Sequence, residues 1–246
     1  MRALLLHYQA DAMLLRTMTG KRYFTPAFFK FLRELKANNN RPWFTENKQR
    51  YESQVRDAML VFIEEFGPRL HKISRHFSAD PRPVGGSMFR IYRDVRFSPD
   101  KSPYKTNVAA RFHHDAAKSM NAPGYYMHLS GREVFVAGGI YMPDSAAATK
   151  IRDAIVKRPQ QWTKTISSSA FKQHCELSGS RLTRPPRGYD SGHPLIEDLK
   201  LKSFMAVANF TDKDACAPDF MDRFANTCEA AAPFMRFLTT ALDLAW

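Results

Sequence analysis

The chain has 246 residues, 44% hydrophobic and 13% aromatic, enough to bury a sizeable core and unlike the composition of a disordered segment. No apolar run approaches the roughly 20 residues needed to span a bilayer, and three cysteines without a CxxC spacing argue against a disulfide framework or a cysteine metal site. The net charge of +13 is uneven, at +7 over residues 1–79, +9 over 80–202 and −3 over 203–246, so a basic middle either suits an anionic partner or is only a solvated surface.

Residues 1–22 read as a loosely attached N-terminal extension, with one short apolar patch from Ala3 to Leu6. That patch is too short for a signal-peptide core and no small-residue cleavage site follows, which makes the expected compartment the cytoplasm. A single domain is expected over 23–246. Thr25-Pro26 is a helix start, with Thr as N-cap and Pro at the first helical position. Phe28, Phe29, Phe31, Leu32 and Leu35 continue it at helical spacing, and Asn38-Asn39-Asn40 stops it. Trp43, Phe44 and Tyr51 could stack bases or pack between the first two helices. The second helix is expected from about Asn47 to Phe66, interrupted by Gly67-Pro68.

Residues 78–86 read as a loop before a β region. Strands are expected at Met88–Val95, Lys105–Phe112, Tyr125–Leu129 and Val134–Tyr141, the last two joined by the hairpin signal Ser130-Gly131-Arg132-Glu133. Gly138-Gly139 inside a strand suggests a bulge or a close backbone approach. Ser145 is read as the cap of a helix ending at Arg158, and Pro159 as the start of another through Trp162 and Ile166. The Pro- and Gly-rich stretch from Arg181 to Pro194 is a long loop, Ser203–Phe210 a strand, and Pro218–Leu242 a long helix with Cys228 facing inward. Helices, then strands, then helices around one more strand predict an α+β fold with a mainly antiparallel sheet flanked by helices.

The segments NNNRPWFTENKQRYE (38–52), RIYRDVRFSPDKSPYKTN (90–107), GGIYMP (138–143) and RGYDSGHPL (187–195) resemble a bacterial and fungal family known as domain of unknown function 2461, over roughly residues 23–240. The resemblance implies no established activity, substrate or cofactor, so no catalytic residue is carried over from it.

The residues themselves nominate 87–107 as the segment of interest. Arg90, Arg93, Asp94, Arg96, Asp100, Lys101, Tyr104 and Lys105 crowd together there, and Pro99 and Pro103 stiffen the loop. A stiff loop carrying guanidinium, ammonium and hydroxyl groups suits a phosphate or carboxylate. The expected ligand surface comprises Arg90, Arg93, Arg96, Lys101, Tyr104 and Lys105 with backbone from Gly138 and Gly139, and His193 as an outlying candidate. Asp94 or Asp100 would act as general base or hold an arginine in place. On the opposing view, Arg93, Arg96, Asp94 and Asp100 pair with one another and the motif is an ion-pair clamp. His113 and His114 are adjacent and so point to opposite faces of a strand, while His128 and His193 stand alone. No metal or other cofactor is therefore expected. The partner is expected to be an anionic small molecule or, in the alternative, nucleic acid bound without chemistry. No membrane association is expected.

Overall fold

The computed structural model describes residues 20–116 and 121–246, so the expected extension lies outside the described residues up to residue 19. Thr25 caps α1 (Pro26–Ala37), its side chain accepting from the Phe28 N–H. The three asparagines that follow do three different jobs. Asn38 closes α1, Asn40 caps a short helix α2 (Arg41–Glu46) by accepting from the Trp43 N–H, and Asn39 reaches across to residue 104. The sequence reading missed α2.

The chain then runs through α3 (Lys48–Tyr51) and one π-helical turn (Glu52–Arg56) into α4 (Asp57–Ile73). The expected break at Gly67-Pro68 does not occur, because Pro68 lies inside α4. Met59, Phe62, Ile63, Phe66 and Leu70 are all buried, so the apolar stripe continues past the proline. A proline inside a helix costs about 3 kcal/mol, and burying a side chain such as Leu70 returns about 1.5–3 kcal/mol. Trp43 and Tyr51 pack against Phe31, and Phe44 against Tyr51, as ring pairs 5.4–5.9 Å apart between these helices.

Six strands follow: β1 (Phe77–Ser78), β2 (Asn107–His114), β3 (Gly124–Ser130), β4 (Val134–Ile140), β5 (Glu176–Ser178) and β6 (Phe204–Phe210). They form one sheet in the order β1-β2-β3-β4-β6-β5, antiparallel throughout, which is the expected α+β architecture. The expected strand over 88–95 is absent. That segment makes only two isolated bridges, Met88 with Ala110 and Tyr92 with Tyr104. Its regularity is lost because Pro99 and Pro103 have no N–H, while the Asp94 and Asp100 carboxylates take the N–H groups of Arg96 and Ser102.

Between β4 and β6 lie α5 (Ser145–Lys157), α6 (Pro159–Ser167), α7 (Ser169–His174) and α8 (Ile196–Leu199), and after β6 come α9 (Asp212–Ala215) and the long α10 (Phe220–Ala241). Asp144, not Ser145, caps α5, accepting from the Ala147 N–H at 2.8 Å. No described helix is long and apolar enough to cross a membrane.

Alternation along the strands divides the sheet into two different faces. Val108, Ala110, Phe112, Tyr125, Met127, Leu129, Val136, Phe204 and Ala206 point into the core and are buried. Phe66 of α4 meets Phe112 at 4.8 Å and Phe224 of α10 at 4.6 Å, which ties two helices and the sheet together. The Tyr125 hydroxyl donates to the Cys228 carbonyl at 3.2 Å. Cys228 is therefore core packing, and burial raises its thiol pKa well above the ordinary value. The intervening residues, among them Arg111, Tyr126, His128, Phe135, Met205 and Val207, form the other face and stay partly exposed.

Candidate functional site

Phe89 N–H donates to the Ala109 carbonyl, and Arg111 N–H to the Ser87 carbonyl, so residues 87–89 extend the β1 edge along β2. The chain then leaves the sheet and returns as an irregular hairpin, held by Arg93 N–H to Pro103 O (2.9 Å) and Lys105 N–H to Ile91 O (2.7 Å). Asn39 clasps the returning arm, its amide donating to the Tyr104 carbonyl at 2.9 Å and accepting from the Tyr104 N–H at 3.1 Å. Tyr104 is one of the residues expected from the sequence to line the ligand surface. Its ring is buried and stacks on Phe44 at 4.0 Å between centroids.

At the hairpin tip, Arg93 pairs with Asp100, and Arg96 grips Asp94 through two bonds of 3.0 and 2.7 Å. Ser102 donates its hydroxyl and its N–H to Asp100, at 2.6 and 2.9 Å. Those two bonds, with Arg93, hold the Asp100 carboxyl down at about 2, and Arg96 lowers Asp94 in the same way. The Lys101 ammonium donates to the Val95 carbonyl at 3.0 Å. Four of the six expected cation and tyrosine contacts, Arg93, Arg96, Lys101 and Tyr104, are thus engaged within the motif or the core. Phe97 projects at the tip, 93% exposed.

Arg90 and Lys105 differ. Neither makes a salt bridge among the described residues, although the Arg90 charge helps to lower the pKa of Asp94. Lys105 is half-buried, its ammonium 5.2 Å from the Phe89 ring centre, and burial together with the neighbouring Arg90 lowers its pKa. A third cation, Arg111, was missed by the sequence reading. It stands on β2 facing away from the core, donates to the Ala122 carbonyl at 3.0 Å, and has its pKa lowered by burial.

Arg111 and Lys105 border the face of the sheet that the described residues leave partly exposed. A cavity of about 520 Å³ lies there, with Arg111, Tyr126, Phe135, Gly139, Met205 and Val207 in its wall. Tyr141 and Met142 stand at its rim, 68% and 55% exposed. Gly139 is needed for its backbone, since its φ is +148° and a Cβ would lie 2.1 Å from the Phe204 carbonyl oxygen. The expected close approach is therefore the β4–β6 contact. Gly138 faces the other way, with Met235 and the Tyr125 ring at 3.2–3.3 Å from where its Cβ would be, and it is not part of the cavity. A second cavity of about 470 Å³ adjoins through the shared residues Phe89 and Tyr126, and is bordered by Arg93, Asp94, Lys105, Asn107 and His128.

His128 stacks on Phe135 at 4.7 Å, and burial lowers its pKa. His193 stands apart, its Nδ1 accepting from the Leu195 N–H in a loop that Tyr189 ties to Asp153 of α5. His114 is a core residue, with Nε2–H donated to the Ala245 carbonyl at 2.8 Å and Nδ1 accepting from Ala116. Among the described residues no group of three His, Cys, Asp or Glu side chains is placed to hold a metal ion.

The residues missed in the sequence, Phe89, Arg111, Tyr126 and Phe135, together with His128, which was read as a lone histidine, do carry a signal. At alternate positions opposite the core face, an ordinary solvated sheet shows short polar side chains, whereas this one shows rings and an arginine.

The chain belongs to a family described as a conserved hypothetical protein family, DUF2461, which matches residues 27–237. No curated protein matches it.

Proposed function

We propose that this member of the conserved hypothetical family binds an anionic, phosphate-bearing ligand on the partly exposed outer face of its sheet, with Lys105 and Arg111 contacting the anion and Arg90 contributing from the neighbouring hairpin. The observation that carries the reading is that Lys105 and Arg111 are partly buried cations with no carboxylate partner among the described residues, beside a cavity walled by rings. A desolvated, unpaired cation is unfavourable unless an anion meets it. Binding is a better account than catalysis by Asp94 or Asp100. Both carboxylates are held below their ordinary pKa by arginine and, for Asp100, by Ser102, which leaves each a weak base near neutral pH. The proposal takes the compartment to be the cytoplasm, where the three thiols stay reduced.

A second reading, that the motif is an ion-pair clamp, is favoured by the Arg93–Asp100 and Arg96–Asp94 pairs. The two readings use different residues and coexist, the clamp fixing the hairpin that presents Lys105.

The test is a thermal-shift and calorimetric titration with phosphate, pyrophosphate and nucleoside phosphates, on the wild type and on Lys105→Gln and Arg111→Gln. Saturable binding that weakens about tenfold in each variant is expected, the scale of one charge-assisted bond. No binding by any of these ligands, or equal binding by all three proteins, refutes it.

A further inference from the structure

The two cavities on the sheet continue into a third. Asn107 and His128 border the second cavity and also a third of about 530 Å³, which reaches Lys36 of α1 and Arg132 of the β3–β4 turn. Shared walls make the three a single track across the sheet rather than separate pits. From Gly124 to Gly131, beside β3, it extends about 23 Å at ~3.3 Å per residue.

Rings occupy the middle of this track in contact with one another. Phe89 and Tyr126 lie 6.2 Å apart, Tyr126 and Phe135 5.8 Å, and Phe135 and His128 4.7 Å. Cations without a carboxylate partner among the described residues punctuate it from end to end: Arg111, then Lys105, then Lys36 and Arg132. The acids along it are fewer, and one of them, Asp94, is already held by Arg96. A small anion would need one cation cluster and no ring series. A lipid would need a deep apolar slot at one end rather than charges at both. A contiguous series of rings with cations beside it and at both ends, on an antiparallel sheet, matches a polymer that carries both planar bases and phosphates.

We infer that the track binds single-stranded nucleic acid, with bases against Phe89, Tyr126 and Phe135 and the phosphate backbone followed by Arg111, Lys105, Lys36 and Arg132. The inference rests on the anion-binding proposal and narrows its ligand. A track of this length takes roughly four nucleotides, the low end of the range for small sheet-based single-strand binders. Duplex is excluded because its bases are stacked inward and cannot reach the rings.

Fluorescence anisotropy with labelled oligouridylates and oligothymidylates of two to twelve nucleotides tests this on the full chain, with AMP, ATP and an eight-base-pair duplex for comparison. Affinity for either backbone should climb at least about tenfold between two nucleotides and the length that fills the track, then level off. Phe135→Leu retains an apolar side chain on the sheet but removes the ring, and should weaken the octamer about tenfold with the melting temperature unchanged. Lys36→Gln, on an exposed helix position at one end of the track, should weaken the octamer by a larger factor than the dinucleotide, which fills only part of the track. AMP binding as tightly as the octamer overturns this inference while leaving the anion-binding proposal standing. So does duplex binding equal to single-strand binding, or an octamer affinity indifferent to Phe135→Leu. If no phosphate, nucleotide or oligomer binds, both fall together.

Discussion

Replacing Asn39 with alanine is the sharpest probe of how the motif is held. The Asn39 side chain imitates a neighbouring strand, donating to the Tyr104 carbonyl and accepting from its N–H at 2.9 and 3.1 Å. Two such bonds are worth about 1 kcal/mol each, and leaving two partly buried backbone groups unpaired adds a further penalty, so Asn39→Ala should cost about 2–4 kcal/mol. The neighbours supply controls. Asn40 caps α2 with one bond and its loss should cost about 1 kcal/mol, while Asn38 makes an exposed bond to the Glu34 carbonyl whose loss should cost less. Asn39→Asp keeps the acceptor for the Tyr104 N–H but turns a carboxylate toward the Tyr104 carbonyl, and should be no better than alanine. Urea denaturation with a constant m-value reads all four differences. If Asn39→Ala proves no more costly than Asn40→Ala, water replaces the clasp and the anchoring argument is wrong.

Gly139→Ala should destabilise by about 2 kcal/mol or more, since its φ of +148° and the 2.1 Å approach to the Phe204 carbonyl oxygen leave a Cβ nowhere to go without moving β6; a melt within a degree of wild type contradicts it. Asp100 should titrate near 2 by carboxyl NMR, below its ordinary 3.8, so its contribution to the hairpin is complete above about pH 4 and lost as pH falls through about 2. Ser102→Ala, which removes the hydroxyl bond and keeps the backbone N–H bond, and Arg93→Gln should each move that midpoint upward. Cys175, pushed up to about 11 by burial, and Cys228 should resist an aromatic disulfide reagent at neutral pH and react only after unfolding, and fast labelling of either in the native protein would refute the packing described.

The order of elements was legible because long apolar periods survive local noise. The stripe of α1, the β3–β4 hairpin around Ser130–Glu133 and the face of α10 were each read in place. What was not legible has a common physical cause, a local rule outweighed by a distant partner. Pro68 signals a stop, yet Leu70 finds the core and the helix continues. Asn38-Asn39-Asn40 signals one turn, yet its three amides serve α1, Tyr104 and α2 separately. Residues 88–95 carry strand-like residues, but a ladder needs backbone donors, and prolines and aspartates remove or divert those of the returning arm.

The candidate site was half-legible for a related reason. Density of charge drew attention to residues 90–105, and charge density is what a self-paired cluster and a ligand site have in common. The structure separates them by bookkeeping of partners. Arg93 and Arg96 find Asp100 and Asp94 within the same hairpin, spacings a sequence contains but does not reveal as pairs. Lys105, at the end of the motif, and Arg111, six residues later on β2, find no carboxylate among the described residues, Lys105 lying over the Phe89 ring and Arg111 donating to the Ala122 carbonyl. An arginine already paired with a carboxylate gains little from a ligand because it must first give that carboxylate up, whereas a half-buried cation without one gains from the first anion to arrive. The distinction makes the motif a scaffold for its own last lysine. Its ion pairs set the hairpin, the hairpin sets Lys105 against Phe89, and the proposed ligand surface begins where the pairing ends.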